Sequence, residues 1–167
     1  LLAVHQHNEV QATQNIVERL QCGTRLAYVS DAGTPAISDP GARLVAAARL
    51  VGIRVVPVPG ASSVTAILSA AGIAPEAHQT TGFVFQGFLS SKATERATAV
   101  SAISREARAV VVLEAPHRIE VLALALATLG SRMVTVGREL TKQFEEIATC
   151  HAQDLPGWLA QDANRLR

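Results

Sequence analysis

The chain has 167 residues, of which 49% are hydrophobic and 17% are charged, a composition typical of globular proteins and not of disordered ones. Its formal net charge is only +1, which excludes a generally basic nucleic-acid-binding coat, and its 4% of aromatic residues argue against a platform that stacks single-stranded bases. The two cysteines, Cys22 and Cys150, form no CxxC motif, so we expect a reducing, cytoplasmic compartment.

The first half of the chain alternates short β-branched apolar runs with amphipathic runs. Strands are predicted at residues 1–4, 25–30 and 53–58, and helices at 10–20, 41–51 and 62–71. We expect Asn8 to cap the first helix, with Gln11 completing a capping box. The alternation predicts a parallel sheet with helices on its faces, and ligands bind such sheets at the carboxyl edge.

The second half follows a polar stretch at residues 72–82 that is typical of a linker, and we therefore predict domains at 1–76 and 77–167. Strands are predicted at 83–89, 109–114, 133–138 and 146–150, and helices at 94–106, 117–129 and 154–162. The last two strands have no helix between them, which indicates an antiparallel pair. The second domain is therefore expected to be a mixed α/β domain.

Four loops concentrate polar residues at predicted strand ends. The first, SDAGTPAISDPG at residues 30–41, has 12 residues, whereas ordinary βα connections have about 2–6. Gly33 and Gly41 permit positive φ and close approach of a ligand, and Pro35 and Pro40 stiffen the loop. Its exposed N–H groups suit an anionic group such as a carboxylate, although an elaborate turn is the alternative.

The second and third loops place functional groups at the start of predicted helices. In PVPGASSV, residues 57–64, Ser62 or Ser63 can cap the next helix, which an ordinary turn would also do. The third, EAPHR at residues 114–118, clusters a carboxylate, an imidazole and a guanidinium. The alternative interpretation is a surface ion pair between Glu114 and Arg118.

The fourth loop, RELTKQFEE at residues 138–146, places five charges and Thr141 between two apolar strands, and on local grounds alone favours a solvated hairpin tip. His5 and His7 form an HxH pattern without an evident third ligand, so no metal site is expected. The chain also lacks a GxGxxG fingerprint, a P-loop and a GxSxG elbow, which excludes the common α/β cofactor and hydrolase sites.

Taken in order, the segments HQHNE, VSDAGTPAISDPG, PGASSVTAILSAAG, GFL, EAPHR and RELTKQFEE resemble those of the ribosomal RNA small-subunit methyltransferase I family, the 16S cytidine 2′-O-methyltransferases of the tetrapyrrole methylase superfamily. The resemblance covers essentially the whole chain, although the PGASSV segment fits imperfectly. It implies a two-domain α/β fold with S-adenosyl-L-methionine in the interdomain cleft, a homodimer, and 16S rRNA of the small ribosomal subunit as partner. It also implies a chain truncated at both ends, lacking its first strand region and its last strand.

The resemblance further implies site residues. Cofactor contacts are expected from three segments: Ala32, Gly33, Thr34, Ile37 and Ser38 in the first loop, Ser62 and Ser63 in the second, and Leu113 before the third. Catalytic candidates are Glu139 and Lys142, with Glu114 and Arg118 holding the nucleotide. Substrate-binding candidates are His7, Asn8, Arg118, Arg138 and Lys142.

Two other interpretations remain open. A precorrin-type tetrapyrrole methyltransferase would share the cofactor loops, but SDAGTP and RELTK argue against it because both are associated with the rRNA branch. A non-catalytic RNA-binding module would retain the fold, but the intact cofactor loops argue against it.

Overall fold

The computed structural model describes residues 1–5, 7–73 and 82–166, and the chain divides into two compact units, unit 1 (Leu1–Ser62) and unit 2 (Ser63–Arg167). The predicted domain boundary at residues 76 and 77 lies outside the described residues and stays a prediction.

Unit 1 contains two packed helices, α1 (Glu9–Gln21) and α2 (Ala42–Leu50), close to the predicted bounds. The side chains buried along them are Thr13, Ile16, Leu44 and Ala48. The Glu9 carboxylate accepts a hydrogen bond from Gly41 N at 2.9 Å and lies 3.6 Å from the Arg43 guanidinium. A carboxylate placed at the start of α2 satisfies a free N–H group and favours the positive end of the helix dipole.

The strands predicted in the first half of the chain are absent from the described part of unit 1, and this part of the prediction was wrong. A strand needs a hydrogen-bonded neighbour, and no backbone hydrogen bond joins residues 25–30 to residues 53–58. Their apolar side chains remain exposed, with Val29 at 78%, Val56 at 60% and Val58 at 86%. These segments have the apolar composition of strands, but they form no backbone hydrogen bonds with each other and so are not strands.

Asn8 stands before α1 without capping it, so the predicted capping box with Gln11 is also wrong. The Asn8 Oδ1 atom accepts a hydrogen bond from His5 N at 2.8 Å, and its Nδ2 atom donates to Ala3 O at 3.0 Å. Because the side chain is bonded to the preceding segment, it is not available to the first turn of the helix.

Unit 2 confirms the predicted mixed α/β class. Its helices are α3 (Ser63–Ala70), α4 (Ala93–Arg105), α5 (Ile119–Leu126) and α6 (Leu155–Ala160), and its strands are β1 (Phe83–Phe88), β2 (Ala109–Leu113), β3 (Met133–Arg138) and β4 (Glu146–His151). Strands β1 and β2 are parallel, which requires the crossover that α4 provides. Strands β3 and β4 form the predicted antiparallel pair.

The core of unit 2 lies where the helices meet the inner faces of both strand pairs. Its buried members are Leu89, Val100, Ile103, Leu122, Ala123, Leu126, Leu155 and Leu159. Alternate strand residues Val110, Val112, Val134 and Val136 pack against this cluster. The spacing of three or four residues on the helices and of two on the strands places one apolar face of each element against the core.

Arg132 fastens the end of α4 to this core. Its guanidinium donates to Ile103 O at 2.6 Å, Glu106 O at 3.0 Å and Arg108 O at 3.1 Å. Ile103 O also accepts the backbone N–H of Glu106, so Arg132 adds a second bond there, and a cation near the C-terminus of α4 favours the helix dipole.

We predict that Arg132→Ala lowers the free energy of unfolding by about 2–3 kcal/mol, because charged hydrogen bonds to three carbonyls are lost. Urea denaturation followed by circular dichroism measures the change. Arg105→Ala is the matched control, since Arg105 is exposed and, within residues 1–5, 7–73 and 82–166, its side chain bonds only Ser101. Equal losses in the two variants would contradict this role of Arg132.

The turn after α4 carries a bidentate ion pair. Arg108 Nε and Nη2 lie 2.9 and 2.8 Å from the two carboxylate oxygens of Glu106. The side-chain hydrogen bonds from Arg108, followed by its backbone hydrogen bond, lower the pKa of Glu106 from 4.5 to about 2.

A carboxylate whose pKa is depressed by folding stabilises the fold above its unfolded pKa and loses that contribution as pH falls through its folded pKa. We therefore expect the stability of the wild type to fall more steeply than that of Glu106→Gln between pH 4.5 and about 2. Denaturation at several pH values measures the slopes, with Glu18→Gln, an exposed position on α1, as control. Parallel slopes for wild type and Glu106→Gln would rule out this linkage.

Candidate functional site

The first loop has a tightly turned backbone. Positive φ angles occur at Gly33 (69°), Ala36 (64°), Ser38 (63°) and Gly41 (124°). A non-glycine residue adopts such angles at a cost and persists there only when its surroundings hold it. Two such residues within one loop favour a ligand-binding segment over an ordinary connection, because strained backbone is concentrated at functional sites.

Side chains hold this loop in shape and join it to the second loop. The Ser30 hydroxyl lies 3.1 Å from both Ala32 O and Gly33 O, so it donates within the turn. The Thr34 hydroxyl donates to Ala61 O at 3.0 Å, 27 residues further along the chain. A Cβ atom on Gly33 would lie 3.9 Å from that same carbonyl, so the two loops are close neighbours.

The predicted cofactor residues of these two loops are accessible from solvent. Ala32, Gly33, Thr34, Ile37 and Ser38 are all exposed, and Ile37 is an apolar side chain with 48% of its surface open. Ser62 is half-buried, and Ser63 begins α3. Unit 1 therefore presents polar backbone beside an uncovered apolar side chain, which suits a ligand with both charged and apolar parts.

Tyr28 supports the end of the first loop, a role that the sequence analysis missed. Its hydroxyl donates to Pro40 O at 2.6 Å. Burial raises the pKa of Tyr28, and the nearby Asp39 and Glu9 carboxylates raise it further, so the hydroxyl keeps the proton that it donates. A Cβ atom on Gly41 would lie only 2.5 Å from the Tyr28 ring.

We predict that Gly41→Ala lowers the free energy of unfolding by about 2–4 kcal/mol, because strained φ is combined with displacement of the Tyr28 ring. The control is Gly23→Ala, which shares a positive φ of 86° but has no atom within 4 Å of the added carbon. This control should lose only about 1 kcal/mol. Thermal denaturation of both variants measures the loss of unfolding free energy. Equal losses in Gly41→Ala and Gly23→Ala would exclude a packing role for Tyr28.

The third loop holds an ion pair whose carboxylate is buried and whose guanidinium is half-buried, in contrast to the surface pair considered from the sequence. The Glu114 side chain is 3% exposed, and its Oε1 atom lies 3.3 Å from Arg118 Nε and accepts a hydrogen bond from Ala115 N at 2.9 Å. Arg118 Nη2 also donates to Leu89 O at 2.7 Å. Arg118 thereby connects the end of β1 to the end of β2, where half-buried Leu113 lies.

The fourth loop is the turn of the hairpin formed by β3 and β4, and residues 141–145 are exposed, as expected of a solvated hairpin tip. Glu139 and Thr141 have positive φ angles of 49° and 67°. Lys142 Nζ lies 3.0 Å from Glu139 Oε1, and Lys142 N donates to Glu139 O at 2.9 Å. Glu145 Oε2 accepts a hydrogen bond from Thr141 N. The structure therefore brings the two leading catalytic candidates, Glu139 and Lys142, into direct contact at an accessible position.

Arg138, at the start of this loop, lies 3.4 Å from Glu146, which Arg165 also contacts at 2.8 Å. Arg165 was missed from the sequence because no motif surrounds it. The remaining substrate candidates, His7 and Asn8, stand at the start of α1, where Asn8 bonds the preceding segment.

The described parts of the chain hold no membrane-length apolar helix. Within residues 1–5, 7–73 and 82–166, no three His, Cys, Asp or Glu side chains gather in a way that would hold a metal ion.

Comparison with known proteins finds one matching family and several similar proteins. Residues 2–156 match the family described as Tetrapyrrole (Corrin/Porphyrin) Methylases. A Pseudomonas aeruginosa protein named ribosomal RNA small subunit methyltransferase I is 44% identical, and the match covers 100% of this chain and 58% of that protein. Proteins of the same name from Xylella fastidiosa and Escherichia coli O157:H7 are 46% and 42% identical over 99% of this chain, covering 59% and 57% of their own lengths.

These matches confirm the resemblance that the motifs indicated. The chain spans less than two thirds of the length of each of these relatives.

Proposed function

Because this chain belongs to the Tetrapyrrole (Corrin/Porphyrin) Methylases, we propose that it transfers a methyl group from S-adenosyl-L-methionine to the ribose 2′-hydroxyl of a cytidine in 16S ribosomal RNA. The observation that carries the proposal is the contact between Glu139 and Lys142 in an ordered, accessible loop, within a chain whose relatives are named rRNA methyltransferases. A base and a cation near the acceptor accelerate methyl transfer to a hydroxyl.

The first and second loops fit the proposed cofactor. Their exposed backbone can donate to the methionine carboxylate, the absence of a Cβ at Gly33 permits close approach, and Ile37 offers an apolar surface for adenine. The cofactor residues proposed are Ala32, Gly33, Thr34, Ile37, Ser38, Ser62, Ser63 and Leu113. When bound, the cofactor supplies a methyl group already activated on a sulfonium sulfur.

The residues of the chain must therefore orient the ribose hydroxyl and accept its proton. A ribose hydroxyl is a weak nucleophile at neutral pH, so a carboxylate that accepts its proton and a cation that stabilises the developing negative charge both accelerate transfer. In the proposal Glu139 is the base and Lys142 is the cation. The 3.0 Å contact between them lets one hydroxyl reach both groups.

Positioning accounts for most of the remaining rate enhancement, because the acceptor oxygen must lie about 3 Å from the methyl carbon and in line with its bond to sulfur. Arg138 and Lys142 bind the phosphate backbone in the proposal, since guanidinium and ammonium groups are common donors to phosphate oxygens. Arg118 and Glu114 hold the nucleotide through the strand ends that they connect. His7 and Asn8 are kept as substrate-side candidates on the resemblance alone.

The proposal is tested by incubating the protein with methyl-labelled S-adenosylmethionine and small ribosomal subunits from cells that lack the modification. Label in the RNA of small subunits, and none with large subunits as control, is the expected result. Cofactor binding without transfer to RNA would favour the second candidate, a precorrin-type tetrapyrrole methyltransferase, which the family description itself suggests. Absence of cofactor binding would leave a non-catalytic RNA-binding module.

We predict that Glu139→Gln lowers kcat by about 10²–10⁴-fold while the Kd for S-adenosylmethionine stays within a factor of two, because a base acts only on the acceptor. Single-turnover transfer and calorimetric titration measure the two quantities. Glu120→Gln is the matched control, since Glu120 is an exposed carboxylate in the first turn of α5. Unchanged turnover in Glu139→Gln would remove Glu139 as the base.

A further inference from the structure

The guanidinium of Arg138 is only partly paired, although it is largely buried. Its side chain is 20% exposed, and its Nη1 atom lies 3.4 Å from Glu146 Oε2, a long distance for a charged hydrogen bond. Its Nε atom is buried with no hydrogen-bond partner among the described residues. A buried donor without a partner is unfavourable, so an arrangement that retains one requires an explanation.

The competing partner of Glu146 is Arg165. Its Nε and Nη2 atoms donate to Glu146 Oε1 at 3.0 and 2.8 Å. Its Nη1 atom donates to Trp158 O at 2.6 Å, and its guanidinium carbon lies 3.9 Å from the centre of the Trp158 ring. These contacts fix Arg165 in place, and its hydrogen bond is the first cause of the lowered pKa of Glu146.

Two guanidinium groups therefore share one carboxylate, and the cluster carries a net positive charge. Arg165 takes Oε1 with two short bonds, which leaves only Oε2 for Arg138. A guanidinium has five N–H donors arranged to match the two oxygens of a carboxylate or a phosphate. If Glu146 turned both oxygens towards Arg138, it would occupy the donors that a phosphate needs.

We propose that Arg165 is a positioning residue that keeps Glu146 from pairing fully with Arg138 and thereby leaves the Arg138 guanidinium free to bind a phosphate of the RNA substrate. This inference rests on the proposed function, because the phosphate belongs to the RNA substrate of that function. Arg138 is the last residue of β3 and the first of the RELTK loop, so a phosphate held there lies beside the loop that carries Glu139.

The alternative is that Arg165 only fastens the C-terminal segment to β4. A rescue experiment separates the two roles. If Arg165 acts by occupying Glu146, then removing the charge of Glu146 makes Arg165 dispensable for RNA binding. If Arg165 only fastens the segment, then Glu146→Gln weakens the same attachment and restores nothing.

The test uses the full chain as wild type, Arg138→Gln, Arg165→Gln, Glu146→Gln and the double variant Glu146→Gln/Arg165→Gln. The exposed Arg105→Gln is the matched control. The measurements are kcat, the KM for small ribosomal subunits, the dependence of RNA affinity on salt, the Kd for S-adenosylmethionine and the Tm. Cofactor affinity and Tm report whether each variant is folded.

We expect Arg138→Gln and Arg165→Gln each to raise the KM for RNA about tenfold, with kcat within a factor of two. Each should also reduce the slope of log affinity against log salt by about 0.9, the loss of one phosphate contact. The double variant should return KM and salt slope to near wild-type values although its Tm is lower.

Three outcomes would overturn the inference. One is a wild-type KM and salt slope in Arg165→Gln, and another is a double variant no better than Arg165→Gln. The third is a wild type that methylates RNA while Arg138→Gln leaves KM unchanged. A wild type that binds the cofactor but neither binds nor methylates RNA instead overturns the proposed function, and the inference with it.

Discussion

One guanidinium, that of Arg118, holds together the carboxyl ends of the two parallel strands of unit 2. It pairs with Glu114 after β2 and donates to the carbonyl of Leu89 after β1. Because the Glu114 carboxylate is nearly inaccessible, loss of Arg118 would leave a buried charge without its counter-ion, held only by the N–H of Ala115, which is destabilising. The ion pair therefore reinforces a strand edge at which the backbone ladder already pairs Leu113 with Phe88. The commitment of Glu114 to it is also why the proposed base is Glu139.

The two units hold their candidate loops by different means. In unit 2 the loops follow paired strands, so sheet hydrogen bonds define where each loop begins. In unit 1 the first loop is held by side chains bonded to backbone, from Tyr28 to Pro40 and from Thr34 to Ala61. Such bonds constrain a turn without covering it. The exposed residues of that loop therefore combine a defined backbone with N–H groups that an anionic group of a ligand can reach.

The sequence predicted those features that depend on local pattern. Helical and strand periodicity located α1 to α6 and the strands of unit 2 within a few residues, and motif order identified the family. Features that depend on distant partners could not be predicted. The segments at 25–30 and 53–58 have the composition of strands but no ladder, and the Asn8 side chain bonds Ala3 and His5 instead of capping its helix.

The same limit applies to the candidate site. Arg165 contacts Glu146 across 19 residues of sequence. No sequence motif predicts this ion pair or the cation–π contact between Arg165 and Trp158. Glu139 and Lys142 were predicted because both are charged residues of the RELTK segment that carries the resemblance, and the structure adds that they meet in one turn. A side chain that acts through a partner distant in sequence can be identified only from the structure, which shows the two residues in contact.

The proposed acceptor is tested most directly by alkaline hydrolysis of RNA labelled by the protein. Alkali cleaves RNA through the free 2′-hydroxyl, so a 2′-O-methyl group protects the adjoining phosphodiester bond. The account predicts that the label is recovered in an alkali-resistant dinucleotide with methylated cytidine at its 5′ side. Label recovered in mononucleotides would show methylation of a base and would contradict the proposed acceptor.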